Sequence, residues 1–302
     1  MMSQHMSEVS EAEVSCCASC GKAEIDDIKL VSCDDCDLVK YCSDDCKESH
    51  KSEHEEACNK RAAELRDEIL FKQPEGSHWG DCPICMIPLP IDVDKSTISG
   101  CCSKVICQGC FYANLWREIE MRIQRTCPFC REPWPETEEE WDKQRMKRVE
   151  ANDPVALYQQ GGRQNKKGEY QSAFEYWTKA AELGNAHAHY QLSVMYYYGK
   201  VVEKDEGKMS YHEEAAIGGH PLARHNLGFV EMNNGNPERA IKHYIIAATQ
   251  GEDRSIKCLM KLYKKGLVSK EALAATLRAH KAAADATKSP QRDAAEEYHR
   301  NR

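Results

Sequence analysis

No stretch of this 302-residue chain approaches the roughly 18–20 consecutive apolar residues of a membrane-spanning helix. That speaks against a helical membrane protein and for no membrane partner. A basic surplus is missing as well. Lys and Arg total 41 against 49 Asp and Glu, a net charge of −8, so nothing electrostatic favours nucleic acid or an anionic surface, and no nucleic-acid partner is expected. Gly and Pro, at 17 and 11, are too few for a largely disordered chain. The first residues, MMSQHMSEVSEAEVS, lack the apolar core of a signal peptide. The expected location is therefore cytoplasmic, with the nucleus left open because no basic targeting run stands out. No H-E-x-x-H string is present, which removes the commonest zinc-hydrolase arrangement. Cysteine, finally, is almost absent from the last 172 residues, which hold Cys258 alone.

The other sixteen of the seventeen cysteines lie between Cys16 and Cys130. In a reducing compartment, cysteines paired two residues apart point to metal rather than to disulfides. The chain therefore divides into a metal-folded first half and a second half with an ordinary hydrophobic core. Residues 1–15 read as a disordered lead, 16–58 as a first cysteine cluster and 59–77 as a linker helix. That helix carries Ala62, Leu65 and Ile69 on one face and ends at Gln73-Pro74-Glu75-Gly76-Ser77. Residues 78–134 hold a second cluster, 135–152 an acidic linker passing into a helix, 153–286 a repeat region and 287–302 a polar tail.

The first cluster reads Cys17-x2-Cys20, Cys33-x2-Cys36, Cys42-x3-Cys46 and His54-x3-Cys58. Eight thiolate or imidazole ligands suffice for two closed tetrahedral zinc sites. A segment of some forty residues with few large apolar side chains must draw most of its folding free energy from the metal. The string Tyr41-Cys42-Ser43-Asp44-Asp45-Cys46, followed by His54 and Cys58, resembles the MYND zinc finger. That resemblance implies an interleaved pairing, with Cys17, Cys20, Cys42 and Cys46 on one zinc and Cys33, Cys36, His54 and Cys58 on the other. It also implies a surface for short proline-containing peptides, against the plainer reading of a zinc knob with no binding role. Lys51 departs from the family pattern, which often has Trp three residues before the ligand histidine. Cys16 reads as a spare beside Cys17. His50 reads as a solvated helix residue, with replacement of His54 as the alternative.

The second cluster reads Cys82-x2-Cys85, Cys107-x2-Cys110 and Cys127-x2-Cys130, with Cys101 and Cys102 adjacent between the first two pairs. Its spacing resembles a RING finger, another cross-braced two-zinc fold. Cys82, Cys85, Cys107 and Cys110 match the first site of that family. Cys102, Cys127 and Cys130 match three positions of the second site, and the usual histidine is replaced by Lys104, a poor zinc ligand. Three readings stay open: Cys101 coordinates beside Cys102, the site has three ligands and a water, or this half holds no metal. Four zinc ions are thus expected, or three. The resemblance further implies contacts to a ubiquitin-conjugating enzyme through Ile84, Trp116 and Arg131, with residues 111–125 as the helix lining the groove. It implies no catalytic residue of the chain's own, because a RING acts by positioning its charged partner. The enzyme assignment is left open for that reason and because of Lys104.

In the third region Ala-Ala-x-x-Gly recurs at residues 180–184, 215–219 and 247–251. A period of this size signals stacked helical hairpins. Gly184, Gly219 and Gly251 read as helix stops, and Gly168, Gly199, Gly235 and Gly266 as inner turns. The frame formed by Ala188, Leu192, Tyr196, Gly199, Val201, Lys204 and Asp205 resembles the SEL-one-like variant of tetratricopeptide repeats. Repeats are expected to start near Asp153, Ala186 and His220, with a degenerate fourth near Asp253 and a capping helix over 270–286. Such solenoids bind proteins. The histidines His187, His189, His212, His220, His225 and His243 fall at irregular places and are not read as a shared metal site.

The expected fold is multidomain: two small zinc-stabilised cross-brace fingers followed by an all-α solenoid of helical hairpins. The expected function is a zinc-binding adaptor of ubiquitin-ligase type. Its second finger would recruit the conjugating enzyme, while the repeats and the first finger bind protein partners. The alternative is a non-catalytic scaffold for protein–protein interaction.

Overall fold

A computed structural model of the chain describes residues 15–25, 28–76, 78–199, 201 and 210–301. Lys204 and Asp205 of the repeat frame lie outside the described residues, as do 1–14 of the expected lead. The chain divides into two compact units, Met1–Leu70 and Phe71–Arg302.

In the first unit β1 (Val31–Ser32) pairs antiparallel with β2 (Lys40–Tyr41), in the register Val31 with Tyr41 and Ser32 with Lys40. Helix α1 (Asp44–Leu70) follows, with Asp44 and Asp45 in its first turn, where carboxylates complement the positive end of the helix. The linker helix expected over 59–77 is therefore the second half of one helix that begins within the finger. The core of this unit is largely its cysteines: Cys17, Cys33 and Cys36 are buried with Leu30 and Tyr41. A core built from thiols gives little hydrophobic stabilisation, as expected for a metal-dependent fold.

The second unit opens with a small finger. A single 3-10 turn over Val93–Lys95 leads into β3 (Ser96–Ile98), antiparallel to β4 (Val105–Cys107), and then into α2 (Gln108–Met121). Cys82, Leu89, Ile106, Cys107 and Cys110 form its buried centre. Helix α3 (Glu138–Glu150) starts from a capping box in which Thr137 and Glu140 satisfy each other's backbone N–H groups.

Four helical hairpins follow: α4 (Pro154–Lys167) with α5 (Tyr170–Glu182), α6 (Ala186–Tyr198) with α7 (Ser210–Ile217), α8 (Pro221–Asn233) with α9 (Pro237–Thr249), and α10 (Asp253–Lys264) with α11 (Lys270–Ala286). The glycines read as stops and turns have left-handed backbone, among them Gly184 at φ 81°, Gly219 at 82° and Gly251 at 100°, a region costly for any residue with a Cβ. Alanines 173, 180, 188, 215, 216, 223, 240, 247 and 248 are essentially fully buried, which lets the helices approach closely. Two further glycines set the packing within hairpins. A Cβ on Gly161 would stand 2.5 Å from the Trp177 ring, and one on Gly228 would stand 2.7 Å from Tyr244.

The last segment corrects an expectation. Residues 287–302 were read as a polar tail, yet α12 (Pro290–Arg300) is a capped helix that packs against α2. Ser289 caps it, with its hydroxyl accepting from the Arg292 N–H, and Pro290 occupies the first turn.

Candidate metal centres

The same backbone device recurs four times. After four of the five Cys-x2-Cys pairs, all but Cys107-x2-Cys110 at the start of α2, the chain turns through a left-handed residue: Gly21 at φ 73°, Asp37 at 57°, Met86 at 56° and Arg131 at 65°. The N–H of that residue donates to the carbonyl of the first cysteine, at 2.9 Å to Cys17, 3.2 Å to Cys33, 2.9 Å to Cys82 and 3.0 Å to Cys127. The N–H of the first cysteine donates in turn to a carbonyl further on, at Lys22, Val39, Ile87 and Glu132. The result is a knuckle with both sulfurs on one side and several amides aimed at them.

Each knuckle meets a second pair of ligands. Cys17 and Cys20 join Cys42 and Cys46, which flank the start of α1. Cys33 and Cys36 join His54 and Cys58, four residues apart on α1 and so on one face of it. Cys82 and Cys85 join Cys107, the N-cap of α2, and Cys110 in its first turn. Cys127 and Cys130 join the adjacent pair Cys101 and Cys102. In every group the four ligand atoms lie within 4.8 Å of one another.

These sets fit zinc. Tetrahedral Zn–S bonds of about 2.3 Å place sulfurs about 3.8 Å apart. The Sγ–Sγ distances are 3.5 Å for Cys20–Cys42, 3.7 Å for Cys42–Cys46 and for Cys33–Cys58, 3.8 Å for Cys85–Cys107 and 3.9 Å for Cys102–Cys127. Cys36 Sγ lies 3.1 Å from His54 Nε2. The donors are soft thiolates and imidazole, and all four positions of each site are supplied by the chain, which is the composition of a closed structural site.

Electrostatics favours the same conclusion. The hydrogen bond from Cys107, with the amides of Cys107 and Cys85, holds Cys82 down at about 4 despite burial. Its partners move the other way: hydrogen bonding to Cys82 pushes the Cys107 thiol far up, and burial raises Cys110 to about 12. Contact with Cys20 and burial raise Cys42 to about 12, and burial with the contacts to Cys36 and Cys33 does the same for Cys58. Sulfurs packed this closely resist joint ionisation unless a dication sits among them.

The adjacent cysteines both belong to the last group. Cys101 joins Cys102 in the group, with Sγ 3.4 Å from that of Cys130. Both sulfurs reach the same point because residues 99–103 form a tight turn. The Ser103 N–H donates to Ser99 O at 2.7 Å, and Ser103 itself is left-handed at φ 56°. Lys104 stays outside the group, with its ammonium 5.8 Å from the Phe129 ring. His50 stays outside too. Its Nδ1 lies 3.1 Å from the Tyr41 hydroxyl, and its ring stacks on His54, so it is a half-buried support rather than a solvated residue. Cys16 is exposed and belongs to none of the groups.

Around the second finger the expected contact residues separate. Ile84 and Phe129 are about two-fifths exposed, and Arg131 is exposed with its guanidinium donating to Asn114 Oδ1 at 3.3 Å. Trp116 is two positions beyond Asn114, on the opposite side of α2, packed against Tyr112 and against Tyr298 of α12. Trp116 is thus a packing residue of the α2–α12 contact, on the side of α2 away from the Asn114 that holds Arg131. Glu118, which the sequence reading missed, is buried. Its carboxylate accepts from the N–H and hydroxyl of Thr126 at 3.2 and 2.8 Å, fixing the last knuckle to α2. No local pattern marks it, because its partner Thr126 lies beyond the end of α2.

Two of the repeat-region histidines, His187 and His220, gather with His78 in a packed core. His187 stacks on Trp79 at 3.5 Å, and its ring lies 5.0 Å from His78 and 4.7 Å from His220. Burial pushes His187 and His220 well below the usual range and His78 to about 4, so they remain neutral. Cys258 lines the core of the last hairpins.

The MYND finger family matches residues 17–58, and the Sel1 repeat family matches 155–185, 186–220 and 221–252. The chain contains a MYND finger and three Sel1 repeats. A similar solved structure is the crystal structure of a Sel1 repeat protein from Oxalobacter formigenes, at 27% identity over 39% of this chain and 96% of that chain, with TM-score 0.36. No curated protein matches the chain. MYND fingers and Sel1 repeats are generally protein-interaction domains, so the chain carries the parts of a protein-interaction adaptor. Among the described residues no helix is long and apolar enough to cross a membrane.

Proposed function

We propose that the chain is a four-zinc adaptor of ubiquitin-ligase type. The sixteen ligands are Cys17, Cys20, Cys42 and Cys46; Cys33, Cys36, His54 and Cys58; Cys82, Cys85, Cys107 and Cys110; and Cys101, Cys102, Cys127 and Cys130. The second finger, over 78–134, recruits a ubiquitin-conjugating enzyme. The repeats and the MYND finger hold what is to be modified, in the cytoplasm. The observation that carries the ligase reading is the interleaving of the two ligand groups of the second finger, with Ile84 and Arg131 exposed beside its two knuckles.

In this reading the zinc ions hold the knuckles in shape and take no part in chemistry. Ile84 gives an apolar contact to the conjugating enzyme. The Arg131 guanidinium, permanently charged and already oriented by Asn114, bridges enzyme and ubiquitin. The chain contributes no nucleophile or general base. It restricts the motion of the charged partner, which is catalysis by positioning. Trp116 is left out of this surface because α12 engages it.

The test is reconstitution of the full chain with activating enzyme, a panel of conjugating enzymes, ubiquitin and ATP. Ubiquitin chains are expected with at least one conjugating enzyme, and Arg131→Ala and Ile84→Ala should each reduce them by tenfold or more. Absence of chains with every conjugating enzyme would favour a non-catalytic scaffold. Chains that persist unchanged in both variants would reject the assigned surface.

A further inference from the structure

Arg292 of α12 is unusual for a residue in a polar C-terminal segment. It is 7% exposed, and its guanidinium faces the first knuckle of the second finger. One terminal nitrogen donates to Pro88 O and Thr287 O, both at 2.7 Å. The other donates to Ile87 O at 3.0 Å and points at Cys85 Sγ, 3.6 Å away. These described partners are three carbonyls and a sulfur, and none is a carboxylate. A guanidinium taken out of water without an opposite charge is costly.

The missing charge lies in the ligand set. Four thiolates around one Zn²⁺ carry a net charge of −2, and three of the four cysteines in this group are buried. We propose that Arg292 is the counter-charge of the Cys82/Cys85/Cys107/Cys110 zinc site, and that α12 is a built-in clasp holding it there. The inference rests on the zinc reading of that group and adds a positioning residue more than two hundred residues away from Cys85. Outer partners of this kind, which hydrogen-bond to metal ligands and balance their charge, commonly change metal affinity by about 10–100-fold.

Three independent features secure the clasp. Gly109 leaves the space for it, since a Cβ there would stand 2.8 Å from the Arg292 backbone N and 2.9 Å from its Cγ. Tyr298 packs on Tyr112 at 5.1 Å and on Trp116 at 5.8 Å. Lys95 Nζ pairs with Glu296 at 2.7 Å. Two groups have no exposed ligand, and of these the all-cysteine set of Cys82 carries a net charge of −2 with Zn²⁺, against −1 for the three cysteines and neutral imidazole of the Cys33 set, so it has the larger charge to balance.

The test is site-resolved zinc release from the full chain, read by alkylation and mass spectrometry of each cysteine during challenge with a zinc chelator. In the wild type, Cys82, Cys85, Cys107 and Cys110 should be protected before the challenge. Arg292→Gln keeps hydrogen-bond donors but removes the charge, and should expose these four about 10–100-fold faster. Arg292→Lys keeps the charge and should stay within about threefold of wild type. Gly109→Ala, which displaces the clasp without touching a ligand, should behave like Arg292→Gln. The other three groups act as internal folding controls and should be unchanged. Equal rates for the Gln and Lys variants would overturn the counter-charge, whether both match wild type or both are fast. Immediate alkylation of the four cysteines in the unchallenged wild type would instead reject the zinc reading beneath it.

Discussion

The finger of the first unit and the Sel1 solenoid solve the same problem with opposite materials. The finger hides cysteines, and its buried centre is Cys17, Cys33, Cys36, Leu30 and Tyr41. The first hairpins of the solenoid hide alanines, Leu157, Leu192 and Trp177, with no metal group among the described residues there. The first arrangement is only as stable as its ligand bonds, while the second is sustained by buried apolar area and close helix contact. The difference teaches where each kind of damage should be felt.

Chelation should give the largest contrast. Removing zinc at neutral pH should unfold residues 16–58, because structural zinc supplies about 10–16 kcal/mol to small finger domains. The solenoid should keep its helices. Hydrogen exchange read segment by segment would show this, and cooperative loss of both regions would break the comparison. Trp177→Ala should do the reverse, costing about 3–5 kcal/mol in the solenoid while leaving all zinc in place.

Acid should weaken the solenoid through its buried histidines. Burial lowers His78 and His212 to about 4, and holds His187 and His220 well below their ordinary value. Below the unfolded value of about 6.5 the unfolded chain binds protons that the folded chain refuses, so stability falls as pH falls. The stability is fully present above about 6.5 and is lost at up to about 1.4 kcal/mol per pH unit for each such histidine. Thermal melts of His212→Gln and wild type between pH 7 and 5 would check this, the variant showing the shallower dependence. The smallest effect is expected in a knuckle. Met86 is exposed and left-handed, so Met86→Gly should relieve roughly 1 kcal/mol of backbone cost and slow zinc release slightly.

Much of this plan is local and therefore legible in the sequence. Cysteine spacing marks the knuckles because both sulfurs must face one point across a short turn. Glycine marks the repeats because helix stops demand left-handed backbone, and the helix expected over 270–286 is present as α11, the second helix of the last hairpin. What escapes is long-range or directional. The placement of Arg292 against Cys85 leaves no trace in local pattern, so the segment 287–302 reads only as polar. Trp116 is apolar and on the expected helix, but which face it occupies depends on Tyr298. The start of α1 at Asp44 is hidden because its first turns bury ligands rather than an apolar stripe. Gly161 and Gly228 were available as signals, being each seven residues into the first helix of a hairpin, opposite Trp177 and Tyr244.

In the proposed reading four metal sites hold the cysteine-rich half, including one built on the adjacent cysteines 101 and 102. Native mass spectrometry of the full chain, purified under reducing conditions, tests it most directly. Four zinc ions per chain are expected, falling to three in a Cys101→Ser, Cys102→Ser double variant. Three or fewer in the wild type would contradict it.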